Sequence, residues 1–212
     1  MKKIYFTVLF SLFSCCAYSQ NISLDSIKIN VQNENSNLYY DKLMYKFKFD
    51  PTSMSDDEVK NLYYGKQFSK YKTSYFDKDY LDFRKSLSQR NLKKAIVYGE
   101  KYLEKDPTNS EVLTYMEVAY GKKNKESKNY ILYSLQSKTL LNCILKSGDG
   151  KSKKTAFKVN SVGEEYLIAE ILEKNIRTFH RTSVLQVDGT IDQFSKGGEI
   201  IYFKVFENIS NF

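Results

Sequence analysis

Cys143 and His180 are the residues with which this chain could most directly perform nucleophilic catalysis, since an imidazole can activate a thiol. Cys143 lies in the apolar run Leu140–Leu145 of a predicted helix. A thiol in such a run usually behaves as a small buried hydrophobe with a raised pKa. His180 stands between Phe179 and Arg181, in a predicted connection. The pattern favours a structural cysteine over a catalytic pair, and we predict no catalytic residue.

The carboxylates offer acid–base or metal chemistry, but their spacing suits neither. Glu164 and Glu165 are adjacent, so on a helix they would point to different faces and serve better as N-terminal caps. Asp77 and Asp79 lack the glycine and distal glutamate of a calcium loop, so they too are predicted to cap a helix. The one histidine and the one cysteine that follows the first 20 residues, Cys143, are too few ligands for a zinc site. We therefore expect no metal and no cofactor, and the pattern leans away from an enzyme.

The chain is rich in aromatic residues, with 18 tyrosines, 14 phenylalanines and no tryptophan. Many of them lie between Tyr39 and Phe83. Tyrosines on a helical scaffold can line a groove that stacks on sugars or grips a peptide. The alternative is that most of them pack a helical core. Tyr63, Tyr64 and Tyr71, on either side of Gly65, are the candidate partner-binding residues.

The elements that would position these residues begin with helices. Residues 20–36 are rich in Asn, Ser and Gln and are predicted to form a flexible lead-in. From 37 to 146 apolar residues recur at helical spacing. Ser55 followed by Glu58 is a capping-box signature that predicts a helix start.

The middle of this helical region resembles a tetratricopeptide repeat. Ala95, Tyr102 and Pro107 fit its second helix, where a small residue lets two helices approach and a proline ends the helix. The match is partial, because the spacing is disturbed between Lys122 and Lys128. Ordinary helical hairpins are the alternative.

Residues 155–208 change to a strand pattern with one helix. Ser161 followed by Glu164 is a second capping-box signature, and Asp188-Gly189 predicts a hairpin turn. The predicted fold class is α+β, with N-terminal tetratricopeptide-like helical hairpins followed by a small antiparallel sheet and one helix packed on the helical region.

Residues 1–19 have the three parts of a secretory signal peptide. Lys2 and Lys3 are the positive region, Ile4–Phe13 is the apolar region, and Ala17-Tyr18-Ser19 is a small-x-small cleavage motif. Cleavage is predicted between Ser19 and Gln20. The apolar run is shorter than the ~20 residues that span a bilayer, and no later stretch is as apolar, so no transmembrane segment is predicted.

Cys15 offers a second way to process the same segment. A lipoprotein signal places a lipidated cysteine after a short Leu-small-small segment, and Leu12-Phe13-Ser14-Cys15 fits except for the bulky Phe13. Two acyl chains at Cys15 would anchor the protein to a membrane. The mismatch at Phe13 favours a periplasmic or secreted protein over an outer-envelope lipoprotein.

The charge balance is moderately basic, with 33 basic and 25 acidic residues and a formal net charge of +8. Removal of residues 1–19 would take away Lys2 and Lys3 and lower this charge to +6. Basic residues are interspersed with acidic ones over most of the chain, and dense spots such as Lys122–Lys125 have few aromatic residues between the lysines. We expect no nucleic-acid binding, since an exported protein rarely meets it.

The order of three short motifs resembles an exported bacterial family known as domain of unknown function 4919. These motifs are Leu62-Tyr63-Tyr64-Gly65-Lys66-Gln67-Phe68, the helix from Tyr40 to Phe47, and the pairing of Ser161–Tyr166 with Ile201–Val205. The resemblance implies a signal peptide and an α/β composition, and it implies no activity, cofactor or catalytic residue.

The residues and the resemblance together predict an exported, non-catalytic protein of the cell envelope. Its helical hairpins would bind or scaffold a peptide or protein partner. Two alternatives are an unrecognised enzyme that acts on envelope polymers and a lipid-anchored envelope accessory protein. Neither the partner nor the oligomeric state follows from the sequence.

Overall fold

The computed structural model describes residues 22–71 and 76–206. The predicted signal peptide, its Ser19–Gln20 cleavage site and Cys15 lie outside these residues. The described chain is helical up to Lys146 and then forms a four-stranded sheet with one further α-helix, which confirms the α+β class. Within the described ranges, no helix is both long enough and apolar enough to cross a bilayer.

The elements follow one another in a simple order. The helices are α1 (Leu24–Gln32), α2 (Tyr40–Phe49), α3 (Asp56–Gly65), α4 (Lys78–Ser88), α5 (Leu92–Lys105), α6 (Ser110–Lys123), α7 (Lys128–Lys146) and α8 (Val162–Ile171), and the strands are β1 (Phe157–Val159), β2 (His180–Gln186), β3 (Gly189–Lys196) and β4 (Glu199–Val205). Short 3-10 turns occupy Pro51–Ser53, Lys66–Phe68 and Ile176–Thr178.

Helix α1 corrects the expectation of a flexible lead-in over residues 20–36. Ser23 caps it by accepting a hydrogen bond from the Ser26 amide. Ile27 and Val31 are buried, one helical turn apart, and α1 packs against α3. The many polar residues of this segment occupy the solvent face. The apolar residues are too sparse to be recognised in the sequence as a helical stripe.

Helix α3 lies at the centre of the helical layer. The predicted capping box is present, because the Ser55 hydroxyl accepts from the Glu58 amide and the Glu58 carboxylate accepts from the Ser55 amide. All five residues from Asn61 to Gly65 are buried, and α3 contacts α1, α2 and α7. The C-terminal half of α3 is therefore buried on every side and has no face left for a partner.

The helices after α3 form two hairpins, α4 with α5 and α6 with α7. Ala95 is fully buried, and α5 ends before Asp106-Pro107, as predicted. Close packing of α5 on its neighbours depends on Gly99, since a Cβ there would lie 2.4 Å from the Met116 Sδ atom. Helical hairpins are therefore present, while kinship with tetratricopeptide repeats stays a prediction.

The sheet has the strand order β1-β4-β3-β2 and is mixed, which corrects the prediction of an antiparallel sheet. β1 runs parallel to β4, with Phe157 opposite Phe203, while the other two pairs are antiparallel. The chain returns from β1 through α8 before it reaches β4, and such a crossover makes two strands parallel. The hairpin predicted at Asp188-Gly189 is present between β2 and β3.

Helix α8 is tied to the sheet by a group of buried charges. Glu165 and Asp192 are both fully buried, the first on α8 and the second on β3. The Arg181 guanidinium lies 2.5 Å from the Asp192 carboxylate and 3.4 Å from that of Glu165. One cation on β2 therefore stands between two buried acids on neighbouring elements.

Candidate binding cleft

The turn between α4 and α5 brings an arginine to the edge of a cleft. The Asn91 amide bonds the Ser86 carbonyl, and the Arg90 amide bonds the Leu87 carbonyl. This turn requires a left-handed residue, and Arg90 occupies that position with φ of 55°. Glycine is the usual residue there, because any side chain costs about 1–2 kcal/mol in this conformation. A strained non-glycine residue is often a sign of function.

The cleft lies between the C-terminal half of α4, the start of α5 and one face of α6. Its volume is about 700 Å³, within the range of ligand-binding clefts. The floor is apolar and the rim is cationic; the lining residues are Leu87, Leu92, Tyr115, Val118, Ala119, Ser88, Arg84, Arg90 and Lys122. No carboxylate is among them, so the cleft combines an apolar surface with positive charge.

Arg84 is held at the rim by a buried carboxylate. Its guanidinium pairs with Glu111, which also accepts a hydrogen bond of 2.7 Å from the Tyr80 hydroxyl. Burial raises the pKa of Tyr80, which keeps the phenol protonated and able to donate. Glu111 can reach the start of α8 because Gly163 has no side chain there, and a Cβ would lie 2.6 Å from the carboxylate. That helix N-terminus favours the negative charge.

Arg90 and Lys122 differ from Arg84, which pairs with Glu111. Both are exposed, and neither forms an ion pair within residues 22–71 and 76–206. An arginine can hold a carboxylate through two parallel hydrogen bonds, and a lysine adds a mobile point charge. With Arg84 fixed by Glu111, two uncommitted cations remain above the apolar floor. The arrangement suits a ligand that carries both negative charge and apolar groups.

The three candidate tyrosines lie outside this cleft. The prediction that Tyr63 and Tyr64 bind a partner is corrected, because both are buried. Tyr63 and Tyr64 are 0 % exposed. The Tyr63 hydroxyl donates to Glu164 at 2.7 Å, and the Tyr64 hydroxyl donates to the Lys158 carbonyl at 3.1 Å. They fill the interface between the fully buried C-terminal half of α3 and the β1–α8 segment. A partner cannot reach them.

Tyr71 is half-buried and is not part of that interface. Its ring lies 5.9 Å from the ring of Tyr40, and the ammonium groups of Lys48 and Lys70 approach its face at 5.7 and 5.4 Å. Of the three tyrosines, Tyr71 alone keeps solvent access. The structure does not join them in one surface.

The cysteine and the histidine belong to different parts of the fold. Cys143, on α7, lines a small cleft of about 130 Å³ with Pro51 and Val59. Burial, and next the charge of Asp56, raises the pKa of the Cys143 thiol to about 12, so it is a poor nucleophile. His180 begins β2 and is exposed. No feature of the described residues couples the two.

The predicted capping acids are confirmed at one site and altered at the other. Asp77 caps α4 by accepting from the amides of Asp79 and Tyr80. At α8, the Ser161 hydroxyl accepts from the Glu164 amide, which is half of a capping box. The Glu164 carboxylate turns instead to other donors, among them the Tyr63 hydroxyl. Glu164 and Glu165 point to different partners, as their adjacency predicts.

Lys158 is a lysine whose pKa is lowered by its surroundings. Burial, assisted by the positive charge of Lys204, lowers its pKa to about 8. Its ammonium group donates to the Ser147 carbonyl at 2.8 Å, at the C-terminal end of α7. A cation stabilises that end of a helix, so Lys158 serves to join β1 to α7.

The cleft residues escape prediction from sequence for a definite reason. The sequence pattern places Arg90 only in a turn between two predicted helices. It places Lys122 in a lysine-dense stretch interpreted as a solvated loop, whereas Lys122 lies in the last turn of α6. The two lie on different helical hairpins, and only the packing of α5 between α4 and α6 brings them together. A search for cations without neighbouring acids would find them singly, but not as a pair.

Comparison with known proteins gives one finding. The model of the family described as domain of unknown function (DUF4919) matches residues 25–210. No curated protein and no solved structure matches the chain. The matched range covers all eight α-helices except the first residue of α1, and it includes the four strands. The chain therefore belongs to the DUF4919 family.

Proposed function

We propose that this protein is a non-catalytic binding module whose α4–α6 cleft takes an acidic, partly apolar segment of a partner protein. The observation that carries the proposal is the pairing of an apolar floor with the exposed cations Arg90 and Lys122. Five of the nine lining residues are exposed: Arg84, Ser88, Arg90, Val118 and Lys122. An open groove of this kind suits a polypeptide segment better than an enclosed small molecule.

The apolar floor and the cationic rim would contribute differently to the binding free energy of such a complex. Apolar side chains of the segment would contribute about 25 cal/mol for each Å² buried on Leu87, Leu92 and Val118. Its carboxylates would be attracted by Arg90 and Lys122, which mainly increases the association rate and selects against basic segments. Binding should therefore weaken as salt screens the charges.

Arg90→Gly separates binding from folding, because the two effects are expected to have opposite signs. Glycine relieves the left-handed strain, so the free energy of unfolding should stay equal or rise by up to about 1 kcal/mol. Loss of the guanidinium should weaken binding of a fluorescent peptide of alternating leucine and glutamate by about 5-fold or more. Fluorescence anisotropy measures the affinity, and urea denaturation measures the stability.

Two matched controls accompany this variant. Glu173 also has a positive φ, of 59°, but lies at the end of α8, so Glu173→Gly should stabilise the fold and leave the affinity unchanged. Lys153→Gln removes one positive charge from an exposed loop and should change the affinity little. If the leucine–glutamate peptide does not bind, or binds Arg90→Gly as tightly as the native chain, the proposal is wrong.

We infer further that the protein works outside the cytoplasm, as the signal pattern of residues 1–19 favours. The expected product of processing begins at Gln20 and has no lipid. Intact-mass analysis of the protein made in its native host distinguishes the two routes. A mass that starts at Gln20 supports soluble export, a mass that starts at a diacylated Cys15 indicates a membrane anchor, and an unprocessed chain contradicts both.

A further inference from the structure

Strand β2 is an open edge of the sheet as far as residues 22–71 and 76–206 show. All seven of its residues are exposed. It lies at the end of the order β1-β4-β3-β2, so one side of its backbone pairs with β3 and the other side pairs with no strand in the described part of the chain. Proteins usually protect such an edge with proline, a bulge or a lysine, because unpaired N–H and C=O groups bind other strands. β2 has no proline, lysine or bulge, and its pairing with β3 is continuous over seven positions. Its one permanently charged residue, Arg181, is already paired with Asp192 and Glu165, so it does not repel an added strand as a free lysine would.

Exposed aliphatic side chains lie on both faces at the hairpin end of this edge. Leu185 is 67 % exposed and Val184 is 46 % exposed, and Val187 in the turn is fully exposed. Leu185 and Arg181 share one face, on the side of α8, where Arg181 meets Glu165. Val184 and Thr182 share the other face. An added strand would cover apolar surface on both faces of the sheet and pair the free backbone groups.

We propose that the occupant of this edge is the β2 strand of a second copy of the chain, paired antiparallel about a twofold axis through Ser183. This inference is independent of the α4–α6 cleft. The pairing joins two four-stranded sheets into one of eight strands, and it is closed because each β2 has a single free edge. A twofold contact of this kind uses the same patch on both copies.

The sequence of β2 is complementary to itself in this register. Ser183 faces its own copy, Thr182 faces Val184, Arg181 faces Leu185, and His180 faces Gln186. No two like charges stand opposite each other, which would oppose the pairing. Arg181 pairs with Asp192 and Glu165 of its own chain, and Asp188 in the turn pairs with Lys204, so these charges are neutralised within each copy. The aliphatic stem of Arg181 would cover Leu185, which is otherwise exposed.

The test compares two double variants that differ only in the sign of one charge. In the twofold register residue 182 faces residue 184 of the other copy. Thr182→Lys with Val184→Lys places lysine opposite lysine and should abolish the dimer. Thr182→Glu with Val184→Lys places glutamate opposite lysine and should restore it. Sedimentation equilibrium of the full chain over a range of concentrations measures the association, and circular dichroism verifies that each variant is folded.

Cross-linking checks the register. Ser183→Cys, in a background where Cys15 and Cys16 are changed to serine, should give a disulfide-linked dimer on mild oxidation, because facing residues of an antiparallel pair have Cα atoms about 4.5–5.5 Å apart. Lys153→Cys in the same background should cross-link far less. The proposal is overturned by a native chain that is monomeric at all concentrations, by a dimer that survives the Lys/Lys change, or by equal cross-linking of the Ser183→Cys and Lys153→Cys variants.

Discussion

Replacement of Glu164 by alanine is expected to lower the free energy of unfolding by about 3–5 kcal/mol, which is a large part of the stability of a domain this size. The Glu164 carboxylate is buried and accepts three hydrogen bonds from three parts of the chain. The Tyr63 hydroxyl donates at 2.7 Å, the Ser110 hydroxyl at 2.5 Å and the Asn160 amide at 2.9 Å. These donors belong to α3, α6 and the segment that leads into α8.

Loss of the carboxylate is costly because its donors would stay buried. Each buried donor without an acceptor costs about 1–3 kcal/mol, and the alanine would also leave an empty space between α3 and α8. Glu164→Gln keeps the shape and one acceptor oxygen, so its effect should be smaller. Tyr63→Phe removes one donor together with its hydrogen bond, and we expect a loss of about 1–2 kcal/mol.

Urea denaturation at pH 7 measures these losses, with Glu170→Ala as the matched control. Glu170 lies on the same helix but is exposed, and it accepts one hydrogen bond of 3.3 Å from Tyr115. Its replacement should cost less than about 0.5 kcal/mol. Equal small losses for Glu164→Ala and Glu170→Ala would show that the buried carboxylate does not hold the helical layer to the sheet.

Glu164 shows which features of this interface can be predicted from the sequence. Ser161 followed by Glu164 predicts the start of α8, and the serine does cap that helix. The pattern also predicts that Glu164 folds back on its own N-terminus. The carboxylate does accept from the Asn160 amide, one residue before the cap, but it also accepts from the Tyr63 and Ser110 hydroxyls, which are 101 and 54 positions away. Local pattern identifies the helix start, whereas the partner is fixed by long-range packing.

In the strands and the aromatic residues, too, the features with a local signal can be predicted and those set by long-range packing cannot. Alternation and the Asp188-Gly189 turn are enough to predict the β2–β3 hairpin, because both are local. The parallel pairing of β1 with β4 joins residues 157–159 to 203–205 and has no local signal. Likewise, periodicity predicts that Tyr63 and Tyr64 are helical, but adjacent residues point about 100° apart on a helix, and both are buried because neighbours surround α3.

The binding cleft depends most strongly on long-range packing. Its floor can be predicted as helical apolar positions, and Gln89-Arg90-Asn91 predicts the turn at Arg90. The left-handed conformation of Arg90 has no such signal, since arginine is rarely found there, and it accompanies the hydrogen bonds from Arg90 to Leu87 and from Asn91 to Ser86 that close the turn. Sites built from separate hairpins emerge from tertiary packing, and the sequence alone shows only their parts.

Replacement of Arg181 by methionine is expected to destabilise the fold by about 3–5 kcal/mol at pH 7, since it leaves Glu165 and Asp192 buried without their shared cation. In the native chain burial tends to raise the pKa of Asp192. Hydrogen bonds from Arg181 and Ser183, together with the positive charge of Arg181, outweigh burial, so the net pKa lies below its usual value of 3.8. The stability that Asp192 contributes is therefore present at neutral pH and lost as pH falls through that lowered pKa.

The pH dependence of the variant should have the opposite sign. Without Arg181, burial and mutual repulsion raise the pKa of the two acids, so the folded state binds more protons than the unfolded state. The stability of Arg181→Met should then rise as pH falls from 7 to 5, and its deficit relative to the native chain should shrink. Urea denaturation at both pH values measures this change.

Two further variants separate this mechanism from a general loss of packing. Arg177→Met removes an exposed arginine that stacks 5.0 Å from the Tyr166 ring, and it should cost little and add no pH dependence. Adding Asp192→Asn to Arg181→Met removes one of the two buried charges and should recover part of the stability at pH 7. A deficit in Arg181→Met that is independent of pH and unrelieved by Asp192→Asn would mean that the arginine acts through its aliphatic contacts, because only the buried charges respond to both changes.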